Sequence, residues 1–181
     1  MKHGLVIGKF LPLHNGHEAL IRFAKSNCDE LIVLLGVTEG EPIPGHLRYK
    51  WLWETFRSEP GIRIEYTDDP LPDAPVSSRD VSKVWADYLS KRFPETRIIF
   101  SSEQYGEYLA EYMGIEHRFF DAKRIKIPVS GTMIRENPYA KWHYLSSSVK
   151  AHFVKKICVF GAESTGKTVL TERLAAYYKT G

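Results

Sequence analysis

The stretch Gly8-Lys9-Phe10-Leu11-Pro12-Leu13-His14-Asn15-Gly16-His17 joins an apolar run to a helix. Leu5-Val6-Ile7 before it is short and apolar, as a buried strand is. After it, Ala19, Leu20, Phe23 and Ala24 return at helical spacing. A strand that passes through glycines into a helix has few ways to bury both apolar faces. If the pattern repeats, the usual solution is a parallel sheet with helices on its faces. In such a sheet this crossing lies at the carboxyl end of a strand, where ligands bind. The new helix also aims its free N–H groups and positive dipole end at that place, which suits a phosphate.

The pattern does repeat. Residues 31–37 are an unbroken apolar run, as expected of a parallel strand buried on both faces. Residues 38–44 form a loop, and 47–56 predict a helix ended by Pro60-Gly61. Residues 62–66 predict a third strand. Residues 68–75, rich in proline and aspartate, predict a long loop. Ser78 is placed to cap a helix over 79–93, with Val81, Val84, Trp85, Tyr88 and Leu89 inward. Residues 97–100 predict a fourth strand, 103–113 a helix closed by Gly114, and 117–120 a fifth strand. The fold class is therefore α/β, a Rossmann-like doubly wound parallel sheet.

At 181 residues, the chain is long enough for one domain with some residue to spare. A net charge of +3 suits anionic small molecules and is too weak and too scattered to argue for a nucleic-acid surface, so no nucleic-acid partner is expected. No apolar run approaches the ~20 residues of a membrane helix, so no membrane association is expected. Cys28 and Cys158 sit beside apolar residues and predict two buried free thiols in a reducing compartment. The amino terminus lacks the apolar length of a signal peptide, so a cytoplasmic location is expected.

Beyond Asp121 the rhythm changes. In Ser130-Gly131-Thr132-Met133-Ile134-Arg135, a hydroxyl can cap a short helix that carries Arg135 one turn in. Hydroxyl and N–H donors on one side and a guanidinium on the other can surround a phosphate. Asn137-Pro138 breaks that helix, and residues 139–145 predict another. Residues 156–160 predict a strand, and residues 161–168 match G-x-x-x-x-G-K-[ST] at every position. In that P-loop Gly161 and Gly166 free the backbone to wrap a phosphate, Lys167 reaches it and Thr168 can hold a metal ion. Residues 169–178 predict the helix that follows.

Together these residues resemble a known family. Gly8-Lys9-Phe10-x-Pro12-x-His14-x-Gly16-His17, with Ser130-Gly131-Thr132-x-Ile134-Arg135, is similar to the H-x-G-H and S-x-T-x-x-R motifs of the nucleotidyltransferase superfamily. The lysine in the first motif, the Ser101-Ser102-Glu103-x-Tyr105-Gly106 segment and the appended P-loop resemble the NadR family. NadR proteins combine nicotinamide mononucleotide (NMN) adenylyltransferase with ribosylnicotinamide kinase activity. The resemblance implies a transferase domain over 1–150 and the start of a P-loop kinase domain over 151–181. It implies transfer of AMP from ATP, with Mg²⁺, to NMN, giving NAD and pyrophosphate. Lys9, His14, His17 and Arg135 would be catalytic. Gly8, Phe10, Gly16, Ser130, Gly131, Thr132 and Arg124 would bind ATP. Trp85 and Asp73 would bind NMN. A homo-oligomer is compatible with the resemblance. No helix-turn-helix precedes the first strand, so a repressor role is not expected. The residues after the P-loop are too few for the rest of a kinase, so the P-loop is expected to be silent.

Each assignment has a plainer competitor. His14 and His17 at i, i+3 could pair on zinc, but no third ligand lies near in sequence. Trp85 could simply pack in the core. Asp68, Asp69 and Asp73 read more naturally as a solvated loop than as a metal site. Lys123, Arg124 and Lys126 could reach a triphosphate or merely face water. Another nucleotidyltransferase, acting on phosphopantetheine or an alcohol phosphate, and a non-catalytic nucleotide sensor are the alternative functions.

Overall fold

Strands and helices alternate through β1 (His3–Gly8), α1 (Asn15–Lys25), β2 (Glu30–Gly36), α2 (Gly45–Phe56), β3 (Ile62–Thr67), α3 (Arg79–Arg92), β4 (Thr96–Ser101), α4 (Tyr105–Met113) and β5 (Glu116–Phe119). The structure, a computed structural model, describes residues 1–73 and 77–178. The last two residues of the expected 68–75 loop, and Gly181, lie outside the described residues. The five strands form one sheet in the order β3-β2-β1-β4-β5, and every neighbouring pair is parallel.

Alternate residues of each central strand serve opposite faces, as the pleat requires. Val6, Leu31, Val33 and Leu35 pack with Leu20, Ile21 and Ala24 of α1 and Trp51, Leu52 and Phe56 of α2. Leu5, Ile7, Ile32 and Leu34 pack with Ala86 and Leu89 of α3 and Leu109 and Ala110 of α4. The chain winds outward from β1 through β2 to β3, then crosses back to β4 on the other side of β1. The connections after β1 and β4 therefore diverge, and a crevice opens at the carboxyl ends of these two strands.

Beyond the sheet lie α5 (Gly131–Glu136), α6 (Ser147–Phe153) and α7 (Lys167–Tyr178). Val149 of α6 is fully buried, and the hydroxyl of Ser148 meets that of Thr55 on α2 at 3.1 Å. This helix straddles the boundary expected at residue 150.

Several expectations need correction. Residues 139–145 hold only a 3-10 turn, Trp142–Tyr144, because Leu145 leaves in extended conformation and bridges His14. Residues 156–160 form no strand. A strand needs a neighbour to complete its ladder, none stands beside this segment among the described residues, and Ile157 and Phe160 are exposed. For the same reason Cys158 is exposed, while Cys28 is partly buried. Val84 faces solvent, and the inward positions of α3 are Ser82, Ala86 and Leu89. Ser78 occupies the cap of α3 without a side-chain hydrogen bond. No helix among the described residues is long and apolar enough to cross a membrane.

Candidate active site

The crevice between β1 and β4 is a cleft of about 630 Å³, within the size range of small-molecule sites. Lys9, His14, His17, Asp73, Trp85, Arg124, Ser130, Thr132 and Arg135 all line it. Residues from distant parts of the sequence thus meet where the first strand-to-helix crossing predicts a ligand.

His14 is the cap of α1. Its backbone is extended, and its Nδ1 accepts from the N–H groups of Gly16 at 3.1 Å and His17 at 3.4 Å. A β-carbon on Gly16 would press on the His14 ring at 3.0 Å, so the small residue keeps the cap in place. An accepting Nδ1 leaves the proton of the neutral ring on Nε2. Burial, helped by the charge of Arg124, pushes the His14 pKa down to about 4. At neutral pH His14 is therefore an uncharged Nε2–H donor.

His17 stacks on His14 with ring centroids 3.7 Å apart and meets the edge of Phe10 at 5.1 Å. Burial, then the neighbouring His14 and Arg124, hold its pKa well below the ordinary histidine value. Its Nδ1 is buried with no hydrogen-bond partner. Phe10 itself is buried in the core with φ +47°, so it shapes the turn and supports His17 from below.

The Lys9 ammonium bonds the carboxylate of Asp73 and lies 3.1 Å from that of Glu41. Burial alone would lower its pKa, but the two carboxylates outweigh this and raise it. Lys9 is a fixed cation at the mouth of the glycine turn.

The opposite wall is α5. The Ser130 hydroxyl caps it by accepting from Met133 N–H at 3.3 Å. Arg135 reaches back across the cleft wall, donating from Nη1 to the Leu11 carbonyl and from Nη2 to Thr132 Oγ1 at 3.1 Å. Gly131 lies so close to the Leu11 carbonyl that any β-carbon would overlap it. Arg124 sits in a left-handed turn, with φ +51°, and pairs with Glu103 at 3.0 Å. The Asp121 carboxylate holds that turn by accepting from the N–H groups of Ile125, Lys126 and Ile127 at 2.8 to 3.1 Å. Lys126 lies over the ring of Phe120, which lines the cleft, but does not line it itself.

Trp85 is half-buried: it lines the cleft and also packs against the core cluster between the sheet, α3 and α4. Its Nε1 donates to the Pro72 carbonyl at 2.9 Å, and its ring stands over Gly36, where a β-carbon would meet it at 3.3 Å. Asp69 accepts from the Tyr88 and Thr67 hydroxyls and Asp73 from Lys9, while Asp68, Asp69 and Asp73 all remain exposed, as expected of a solvated loop. No group of three or more His, Cys, Asp or Glu side chains able to hold a metal ion occurs among the described residues.

The P-loop residues Gly161, Gly166, Lys167 and Thr168 do not line the cleft. The Lys167 ammonium folds back onto the Ala162 carbonyl of its own loop, and Gly166 takes φ +78°.

Two residues of the neighbourhood escaped the sequence reading, Glu41 and Arg48. Arg48 was legible in principle: it falls on the i, i+3, i+4 face of α2 with Trp51 and Leu52, where a charge is out of place.

No protein-family model matches the chain. The chain is 34% identical, across 98% of its length, to the trifunctional NAD biosynthesis/regulator protein NadR of Escherichia coli (strain K12), of which it spans 47%. It is 28% identical, across 86% of its length, to the nicotinamide-nucleotide adenylyltransferase of Thermococcus onnurineus (strain NA1), of which it covers 83%. A solved structure of NadR in complex with NAD and AMP-PNP superposes with a TM-score of 0.75 at 29% identity, over 97% of this chain and 53% of that one. The chain thus spans about half the length of the NadR proteins it matches. With its parallel sheet, its paired histidines at the head of α1 and its Ser130-to-Arg135 wall, the chain is homologous to NadR and to the archaeal nicotinamide-nucleotide adenylyltransferases.

Proposed function

We propose that this chain is an NMN adenylyltransferase that transfers AMP from ATP to NMN, forming NAD and pyrophosphate. The observation that carries this is the convergence of Lys9, His14 and His17 from one end of the sequence with residues 130–135 from the other around a single cleft. The activity carried in the names of the relatives agrees with it.

A phosphate oxygen of NMN attacks the α-phosphorus of ATP. The bond from that phosphorus to the bridging oxygen of the β-phosphate breaks, and pyrophosphate leaves with the electron pair. The nucleophile is already an anion, so no strong base is needed. Positioning and charge stabilisation do the work. His14 and His17 act as neutral N–H donors to the triphosphate. Lys9 and Arg135, with Arg124, supply fixed positive charge. Ser130, Thr132 and the amide of Gly131 add donors, while Gly8, Phe10 and Gly16 set the turn. Trp85 stacks on the nicotinamide ring, and Asp73 stands on the acceptor side. Mg²⁺ would arrive with the substrate, as Mg·ATP, and neutralise part of the triphosphate charge. We assign the transferase domain to residues 1–153, ending with α6, and the segment after it to the start of a P-loop domain. A cytoplasmic location suits a reaction that consumes ATP.

The test is acceptor selection. With Mg·ATP and NMN, nicotinic acid mononucleotide or phosphopantetheine offered in turn, NAD should form from NMN. Product from phosphopantetheine and none from NMN would overturn the assignment. Tight ATP binding without turnover on any acceptor would point to a nucleotide sensor.

A further inference from the structure

Arg48 is fully buried, yet it does not line the cleft. Its guanidinium is spent on three partners. Nε donates to the Ile43 carbonyl at 3.0 Å, Nη1 to the Lys9 carbonyl at 2.7 Å, and Nη2 to the Glu41 carboxylate. Glu41 is nearly buried, also accepts from Thr38 N–H at 3.1 Å, and turns its other oxygen to the Lys9 ammonium at 3.1 Å. Lys9 is therefore held at both ends: its carbonyl by Arg48, and its ammonium by a hydrogen bond to Asp73 and, at ion-pair distance, by the carboxylate that Arg48 holds.

Stability alone is a poor explanation. A buried ion pair gains little over well-packed apolar residues, because both charges lose their hydration. What Arg48 provides is geometry. Its planar fork can meet a carbonyl and a carboxylate in fixed directions at once, which a lysine ammonium cannot reproduce. The cleft needs a cation held at one point of the glycine turn, since preorganised charge is what stabilises a crowded polyphosphate.

We propose that Arg48, acting through Glu41, is a positioning residue that fixes the Lys9 ammonium against the triphosphate. This rests on the proposed binding of ATP in the cleft, but not on the identity of the acceptor.

The experiment is a double-mutant cycle read by Mg·ATP affinity, with NAD formation followed in parallel. Lys9→Met and Arg48→Gln should each weaken ATP binding by about tenfold or more. The double variant should lose clearly less than the product of the two single losses, because the ammonium that Arg48 positions through Glu41 is already gone and only its bond to the backbone carbonyl of residue 9 remains. If Arg48→Gln does not fold, Glu41→Gln, which keeps the shape of the side chain, takes its place in the cycle and should show the same coupling. Losses that multiply in the double variant would show that Arg48 and Glu41 act independently of Lys9, and would overturn the inference. Coupled ATP binding without NAD formation would uphold it while overturning NMN as acceptor. NAD formation with multiplicative losses would do the reverse.

Discussion

Gly131 has no room for a side chain because the carbonyl oxygen of Leu11 occupies the place its β-carbon would take. The same oxygen accepts from Arg135, one helical turn further on. The two cleft-lining segments, more than a hundred positions apart in sequence, are thus held together at one carbonyl oxygen, by the Arg135 guanidinium and by the close approach of Gly131. Because the obstructing atom belongs to the main chain, Gly131→Ala cannot be absorbed by a rotamer change. The variant should lose about 1–3 kcal/mol of stability and bind ATP more weakly, as measured by thermal unfolding and titration. Unchanged stability and affinity would mean that the two segments are not held at this contact.

His14 carries a pH dependence whose sign is fixed by its burial. Its folded pKa is about 4, below the value of 6.5 for an exposed histidine. As pH falls below 6.5 the unfolded chain takes up the proton first, so stability declines through the window from about 6.5 to about 4. The full effect is roughly 3 kcal/mol. His14→Asn keeps a capping oxygen without that titration, and should reduce the slope of melting temperature against pH in that window, leaving the part due to His17. An equally steep slope in the variant would contradict the assignment.

If both histidines work as neutral donors, kcat/KM should not fall between pH 6.5 and 8 through loss of an imidazolium. A rate that declines steadily across that range would show that a charged histidine is required.

His17 faces the cleft, with its ring leaning on His14 and Phe10. His17→Ala should cut kcat by about 10²–10³-fold, the usual effect of losing one transition-state donor, with a small change in melting temperature. Loss of folding with no separate loss of turnover would place the residue in the core instead.

Trp85→Ala should raise KM for NMN by about tenfold while leaving KM for ATP nearly unchanged, since base–aromatic stacking contributes roughly 1–3 kcal/mol. Equal effects on both substrates would assign Trp85 to the fold alone. Lys167→Ala, in a loop whose lysine bonds its own backbone, should leave NAD synthesis unchanged.

The sheet was legible because its signals are local. The apolar runs at 5–7 and 31–37 and the helical spacing after His14 read directly as buried strands and a helix. Ser130 as a cap and Arg135 one turn in were legible for the same reason. What was not legible depends on partners distant in sequence. The segment 156–160 has the composition of a strand but no neighbour to complete its ladder, so composition alone misleads. Val84 has the right residue type for an inward position, but α3 is rotated so that Ser82 and Ala86 fill it. The grip of Arg48 and Glu41 on Lys9 joins a loop, a helix and a turn whose meeting no spacing in the sequence records.

The central claim is adenylyl transfer in the cleft of His14, His17 and Arg135, and the most direct measurement follows the phosphorus. ATP labelled in turn at the α- and γ-positions is supplied with Mg²⁺ and NMN, and the products are separated. Adenylyl transfer predicts that the α label enters NAD and the γ label leaves in pyrophosphate. A γ label in the acceptor product, or an α label retained in ADP, would show phosphoryl transfer and contradict the claim.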